Sequence, residues 1–541
     1  MSWRRPTIAK RYLALSLAGL AALALAAAGC GGGGSSTTGA ATTGTSTKAG
    51  GAAATGEPAA STEAGGAELE QRVGWESYWY SLYNLSALSM GKSGMGIRFM
   101  PPKAKVMAVL KEAGLKEPPL ANPYFVSVPY SSGDPHFTQP WKPEDGATWR
   151  WAPSSFDTTI TPQAYAWTAV KYTEWAKNFE NHAKTNVDPS ALNHFRGIML
   201  NNLAATATGW MQENMALPSG LFAAAWEDGK VTDSKPKLGD QLAVLVALGS
   251  LETVADPGNG FAWYKAPLPA AKVRMMEDGL FTALSGSSLV SNPSFADLAL
   301  GVQALSWYAF TTEDPSLKKQ ATALALEWAK QLRGKLGQDG SVSAAGVEPL
   351  DAQALAVRAE GQAALLAGAF DKGEEAAARG AAEDAWRNLN DRYWNDDPGL
   401  YEPDPGGASQ AYTPALLADL TGALNVAQNV LDDGEAADRY AQLFVNVVDE
   451  GHLIASQLPE TVEQHNGLPL PPKAGGKYGI APVFQAEVSF DADSGKWSVS
   501  DGSFEAAAAM KLADEMFWTG TWAGKPVEGP PAVGLPFGSG G

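Results

Sequence analysis

Five times along this chain a short polar side chain directly before a proline reads as a helix start: Thr161-Pro162, Asp188-Pro189, Asn292-Pro293, Asp314-Pro315 and Thr413-Pro414. Each pair places a side-chain oxygen at a helix N-cap, where it accepts from an orphan backbone N–H. Proline then sits at N1, where its missing N–H costs nothing. After Thr161, the residues Tyr165, Ala169, Tyr172, Ala176 and Phe179 fall on one face, and Lys171, Glu174, Asn178 and Asn181 on the other. That is the 3.6-residue period of an amphipathic helix. From Asp314, the residues Leu317, Ala321, Leu324, Trp328 and Leu332 form another apolar stripe, which Gly334 ends.

The same grammar predicts helix pairs at 162–184 with 190–216, 238–255 with 270–284, 294–311 with 315–333, 350–368 with 374–390, and 414–431 with 435–449. A last helix near 502–517 pairs with one at 70–90 to close a ring. Short strand-like loops lie between pairs, at Gly220–Trp226, Gly340–Ala345, Gly399–Glu402 and Val483–Ser500, the last a hairpin turning at Asp493-Ser494-Gly495. Helix pairs that cannot bury both faces alone must pack on neighbours. The expected fold is therefore all-α, an (α/α) toroid of about six helical hairpins with short β-hairpin loops. Residues 69–160 read as an irregular wrapping segment that belongs to the same domain, 69–541.

The N-terminus carries a separate signal. Arg4, Arg5, Lys10 and Arg11 precede the apolar run Tyr12–Ala28, which is short for a membrane span and suits an export signal. Ala27-Ala28-Gly29-Cys30 resembles the lipobox of bacterial lipoproteins, with Ala where Leu is usual at its first position. The resemblance implies cleavage of a signal peptide, 1–29, and a diacylglycerol on the sulfur of Cys30. Residues 30–68 then read as the lipidated cysteine and a Gly/Ser/Thr/Ala tether, too poor in large apolar side chains to offset chain entropy. The expected location is extracytoplasmic, lipid-anchored to the bacterial cell membrane, at the cell surface or in the periplasm. Cys30 is the only cysteine in 541 residues, so no disulfide can form within the chain.

The formal net charge is −18, which disfavours nucleic acid and anionic lipid as partners. The 18 tryptophans suit a large core, and also suit stacking on sugar rings. Met90, Met95, Met100 and Met107 are spaced too loosely for a copper site and read as core or gap-filling residues. No CxxCH, P-loop or GxGxxG after a strand occurs, so no cofactor is expected. His452 and His465 flank Glu460 and Glu463, but twelve intervening residues match no metal-site spacing, and no metal is expected. Asp351 and Asp297 fall in first helical turns, where capping and the helix dipole account for them.

The stretch Arg392-Tyr393-Trp394-Asn395-Asp396-Asp397-Pro398-Gly399-Leu400-Tyr401 resembles the aromatic-Asp-Gly-Gly-aromatic loops of the six-hairpin glycosidase and sugar-epimerase superfamily. Gly399-Leu400-Tyr401-Glu402 resembles the Gly-aliphatic-Trp-Glu of glucoamylase-like members, and Leu458-Pro459-Glu460 their Leu-Pro-Glu segment. The resemblance implies Glu402 as general acid and Glu460 as base, although only one helix pair separates them here and several do in that family. It implies Trp394, Tyr401 and His465 as substrate-binding residues. Two readings stay open. One is a surface lipoprotein that binds a glycan or another envelope ligand in the ring mouth. The other is a carbohydrate-active enzyme, a glycoside hydrolase or sugar epimerase. Oligomeric state is not legible.

Overall fold

The computed structural model describes residues 63–89, 92–116, 125–138, 148–184, 191–255, 267–456, 480–517, 521–522 and 525–526. The expected signal peptide, Cys30, Asp188-Pro189, Met90, Glu460 and His465 lie outside the described residues.

Thirteen α-helices occur among them. They are α1 (Glu63–Ser89), α2 (Lys103–Ala113), α3 (Pro162–Lys184), α4 (Ala191–Asn214), α5 (Leu238–Ala255), α6 (Ala270–Ser285), α7 (Phe295–Thr311), α8 (Pro315–Arg333), α9 (Pro349–Phe370), α10 (Lys372–Tyr393), α11 (Pro414–Val430), α12 (Glu435–Phe444) and α13 (Ala506–Phe517). Six of them form a closed inner ring: α3 packs on α5, α5 on α7, α7 on α9, α9 on α11, α11 on α13, and α13 back on α3. Each inner helix is backed by one outer helix. These are α4, α6, α8, α10 and α12 in turn, with α1 covering α13. This is an (α/α) toroid of six hairpins, and the first and last hairpin partners, α1 and α13, close it.

Three of the four described cap signals hold: Thr161 accepts from the N–H of Ala164 at 3.2 Å. Asp314 accepts from the N–H of Ser316 and of Leu317 at 2.7 and 3.1 Å, and Thr413 accepts from Leu416 at 3.2 Å. Asn292-Pro293 does not open its helix. α7 starts two residues later, because Ser294 and Asp297 form a reciprocal capping box that satisfies two backbone donors at once. α1 begins at Glu63, inside the stretch read as tether, since adding turns to a formed helix is easier than nucleating one.

An inner helix of a ring has no solvent face. Sixteen of the eighteen residues of α5 are buried, so this helix, long and apolar enough to cross a membrane, is an inner wall. For the same reason the polar face of α3 meets neighbouring helices rather than water: Lys171, Glu174 and Asn178 are all buried, Lys171 pairing with Asp514 of α13 and Asn178 donating to Tyr78 of α1. Close inner-outer packing needs glycine at Gly301, where a Cβ would overlap the Trp328 ring.

The helix order also sorts the loops. Three of the turns from inner to outer helices are short, at 312–314, 371 and 431–434. Connections from outer to next inner helix are long, and all gather at the mouth formed by the inner-helix N-termini. There the strand Ser409–Tyr412 pairs with Glu487–Asp491, which pairs in turn with Lys496–Asp501, placing the 394–413 loop beside the 480–505 segment. The hairpin turns through Gly495 at φ 65.

Candidate functional site

The 394–413 loop brings Trp394, Tyr401 and Glu402 together, but as a packed unit against an outer helix. Trp394-Asn395 pairs with Leu400-Tyr401 across a tight turn, with Gly399 left-handed at φ 64. Trp394 meets Tyr401 edge-on, with ring centroids 4.8 Å apart, and Arg439 of α12 lies 5.6 Å from the Trp394 ring centroid. Tyr401 is wholly buried and its hydroxyl donates to Asn390 Oδ1 at 2.7 Å. With no open face, Tyr401 wedges two outer helices rather than offering a stacking surface. Trp394 is half-buried.

Both oxygens of Glu402 are taken. Asn395 Nδ2 donates to Oε1 at 2.7 Å, and the Gly406 N–H donates to Oε2 at 3.3 Å. In this arrangement Glu402 staples its own loop. The partner carboxyl expected at Glu460, and His465, lie outside the described residues.

A second cluster stands on the ring axis. It is built by the few charged residues of otherwise apolar inner helices. Asp351 sits in the first turn of α9, Asp419 in the second turn of α11, and Lys511 in the second turn of α13. Lys511 Nζ donates to Asp419 Oδ1 at 2.6 Å. Deeper along the axis Arg358 bridges Asp419, at 3.5 Å, and Glu515. Gly422 makes room for this arginine, as a Cβ there would lie 3.0 Å from Arg358 Cδ. Further down, Lys171 pairs with Asp514 at 3.3 Å and Lys177 with Glu174 at 2.8 Å.

Burial governs the protonation of these acids. It pushes Asp351 up to about 8, reinforced by the charge of the nearby Asp419 carboxyl. Burial also raises Glu515 to about 8, against the pull of Arg358. Lys171, fully buried, is pushed down despite its acidic neighbours. Asp351 Oδ1, Arg358 Nε, Glu174 Oε2 and Glu515 Oε2 have no hydrogen-bond partner among the described residues. Among the described residues no group of three or more metal-ligating side chains occurs. The sequence signal for this cluster was present, since charges interrupt helices that are otherwise apolar on every side. Read one helix at a time, each charge passes for a cap or a solvent face.

No protein-family profile matches the chain, and no curated protein matches it. Among solved structures, a D-mannose isomerase aligns at 10% identity and TM-score 0.46 over 77% of this chain and 99% of that one. A sugar epimerase from a ruminal bacterium aligns at 10% identity and TM-score 0.44 over 66% and 87%. The cellobiose 2-epimerase from Spirochaeta thermophila DSM 6192 aligns at 10% identity and TM-score 0.43 over 76% and 95%. These likenesses are remote, and the toroid is established by this chain's own helix order.

Proposed function

We propose that the chain is a lipid-anchored protein of the bacterial cell envelope that holds a carbohydrate ligand at the mouth of the toroid without turning it over. The anchor reading rests on sequence order: charged start, apolar run, small residues, Cys30, polar spacer. It is tested by labelling with a fatty-acid analogue. Wild type takes up label and Cys30→Ser does not; absence of label from wild type, or equal label on both, would refute the anchor.

The ligand reading rests on one observation, the convergence of Asp351, Asp419 and Lys511 at the N-terminal ends of three successive inner helices. Carboxyl oxygens and an ammonium side by side offer acceptors and donors that match vicinal hydroxyls. Asp419 is already held by Lys511 and Arg358, which suits binding better than hydrolysis. The enzyme reading keeps one supporting observation: Asp351 is held protonated near neutral pH, the state a general acid needs.

The test uses the chain from residue 30 carrying Cys30→Ser, screened on a glycan array and followed by calorimetry. Retention of a glycan is expected, with Asp351→Asn weakening it about tenfold through loss of one carboxyl from the cluster. Failure to retain any glycan, or unchanged affinity in Asp351→Asn, would overturn the reading. Release or isomerisation of a bound sugar would move the chain to the enzyme class.

A further inference from the structure

The charge of this protein is unevenly spread. The chain carries a net −18, yet residues 92–116 hold six cations, Lys92, Arg98, Lys103, Lys105, Lys111 and Lys116, against one acid, Glu112. Arg98, Lys103, Lys105, Lys111 and Lys116 are exposed. α2 organises them. Val109, Leu110 and Ala113 face inward, and α2 packs on the outer helix α4. Lys103, Met107 and Lys111 follow at i, i+4 and i+8 along the outward face, beside the exposed Ala104 and Ala108.

The methionines expected to fill core gaps divide here. Met95 is fully buried, whereas Met100 is 67% and Met107 49% exposed, flanked by these cations. Beneath them Phe99, Val106, Val109 and Met199 line a shallow apolar groove, and Lys105 Nζ lies 5.9 Å from the Phe99 ring centroid.

We propose that this face, α2 with the strand Gly96–Phe99, docks on an anionic lipid bilayer surface. Whole-chain charge argues against anionic lipid, but the range of that repulsion is limited to about 8 Å at physiological ionic strength. A bilayer touching α2 meets the local cations. Basic side chains interleaved with exposed, flexible methionines are the chemistry of an interfacial helix, in which lysines meet headgroups and thioethers enter the acyl boundary. A soluble polyanion would use the lysines and leave the methionines idle. The face exists whether or not Cys30 is acylated. If it is, the patch would orient the ring on the membrane that the anchor supplies.

The test separates the two. The chain from residue 30 carrying Cys30→Ser, which keeps every described residue and cannot be acylated, is sedimented with vesicles of phosphatidylcholine alone or with phosphatidylglycerol added. Binding is expected only with phosphatidylglycerol and is lost in high salt. The triple variant Lys103→Glu, Lys105→Glu, Lys111→Glu should bind at least about tenfold more weakly, with unchanged circular dichroism. Met100→Ser with Met107→Ser should weaken binding while keeping its salt dependence. Equal binding to both vesicle types, no binding to either, or an unaffected triple variant would overturn the proposal. So would binding that the methionine pair does not influence and that a soluble polyphosphate displaces, an outcome that would mark an acidic macromolecule as the partner.

Discussion

Lys171 Nζ lies 3.3 Å from Asp514 Oδ1, joining the first inner helix of the ring to the last. The lysine is fully buried, so removing one partner strands a charge in a low-dielectric interior. Lys171→Ala or Asp514→Ala should lower unfolding free energy by roughly 3–5 kcal/mol, whereas Lys171→Met with Asp514→Leu should be neutral or stabilising by ~1–4 kcal/mol. Urea denaturation of the three variants distinguishes an ion pair that specifies ring closure from one that merely adds stability.

Stability should fall as pH rises. Asp351 and Glu76 are both raised to about 8, in each case first by burial and then by a neighbouring carboxylate, Asp419 and Asp449 respectively. The folded state thus holds protons that the unfolded chain releases near pH ~4. Their contribution is complete below pH ~4 and is lost as pH rises through about 8. Denaturation midpoints should decline between pH 5 and 8.5. Asp351→Asn should flatten that decline, and an unaltered slope would show that Asp351 does not hold its proton there.

Glu402 should behave as a staple. A glutamine can accept one of its two hydrogen bonds but must turn an amide toward the other donor, Asn395 Nδ2 or the Gly406 N–H. Glu402→Gln is expected to cost about 1–3 kcal/mol and to speed hydrogen exchange across 394–413. A variant as stable as wild type would free Glu402 for the acid role that its sequence context implies.

Two glycines should respond oppositely to alanine. At Gly301 the new methyl meets the Trp328 ring, so Gly301→Ala is expected to destabilise by ~1–3 kcal/mol. At Gly380, within α10, the methyl meets nothing within 4 Å, and the substitution should stabilise by about 0.5–1 kcal/mol. Thermal unfolding of the two variants checks both signs.

What was legible in the sequence was whatever local chemistry dictates. Asp314 and Thr413 cap the helices they precede, and the hairpin turns at Gly495, because N-caps and left-handed turns involve neighbours in sequence. Asn292 lost its helix to the capping box two residues on, a competition between two adequate local signals. The pairing of 70–90 with 502–517 was readable because the helix left over at each end needs a partner. The axial cluster was not. Whether Lys171 or Glu174 faces water depends on a second layer of helices, and a periodicity records only that one face differs from the other. Likewise an aromatic-acid loop looks the same whether Tyr401 opens on a cleft or plugs a seam between helices.

Closure of the ring by α1 and α13 also fixes an order of events. α1 is the first described helix in the sequence and α13 the last, with every other hairpin between them. During synthesis the chain emerges N-terminus first, so α1, α3 and α11 all wait for residues 506–517 with apolar seams uncovered. The nascent chain is therefore an open arc until its final inner helix arrives, and the gap it leaves is the span a chaperone would have to shield.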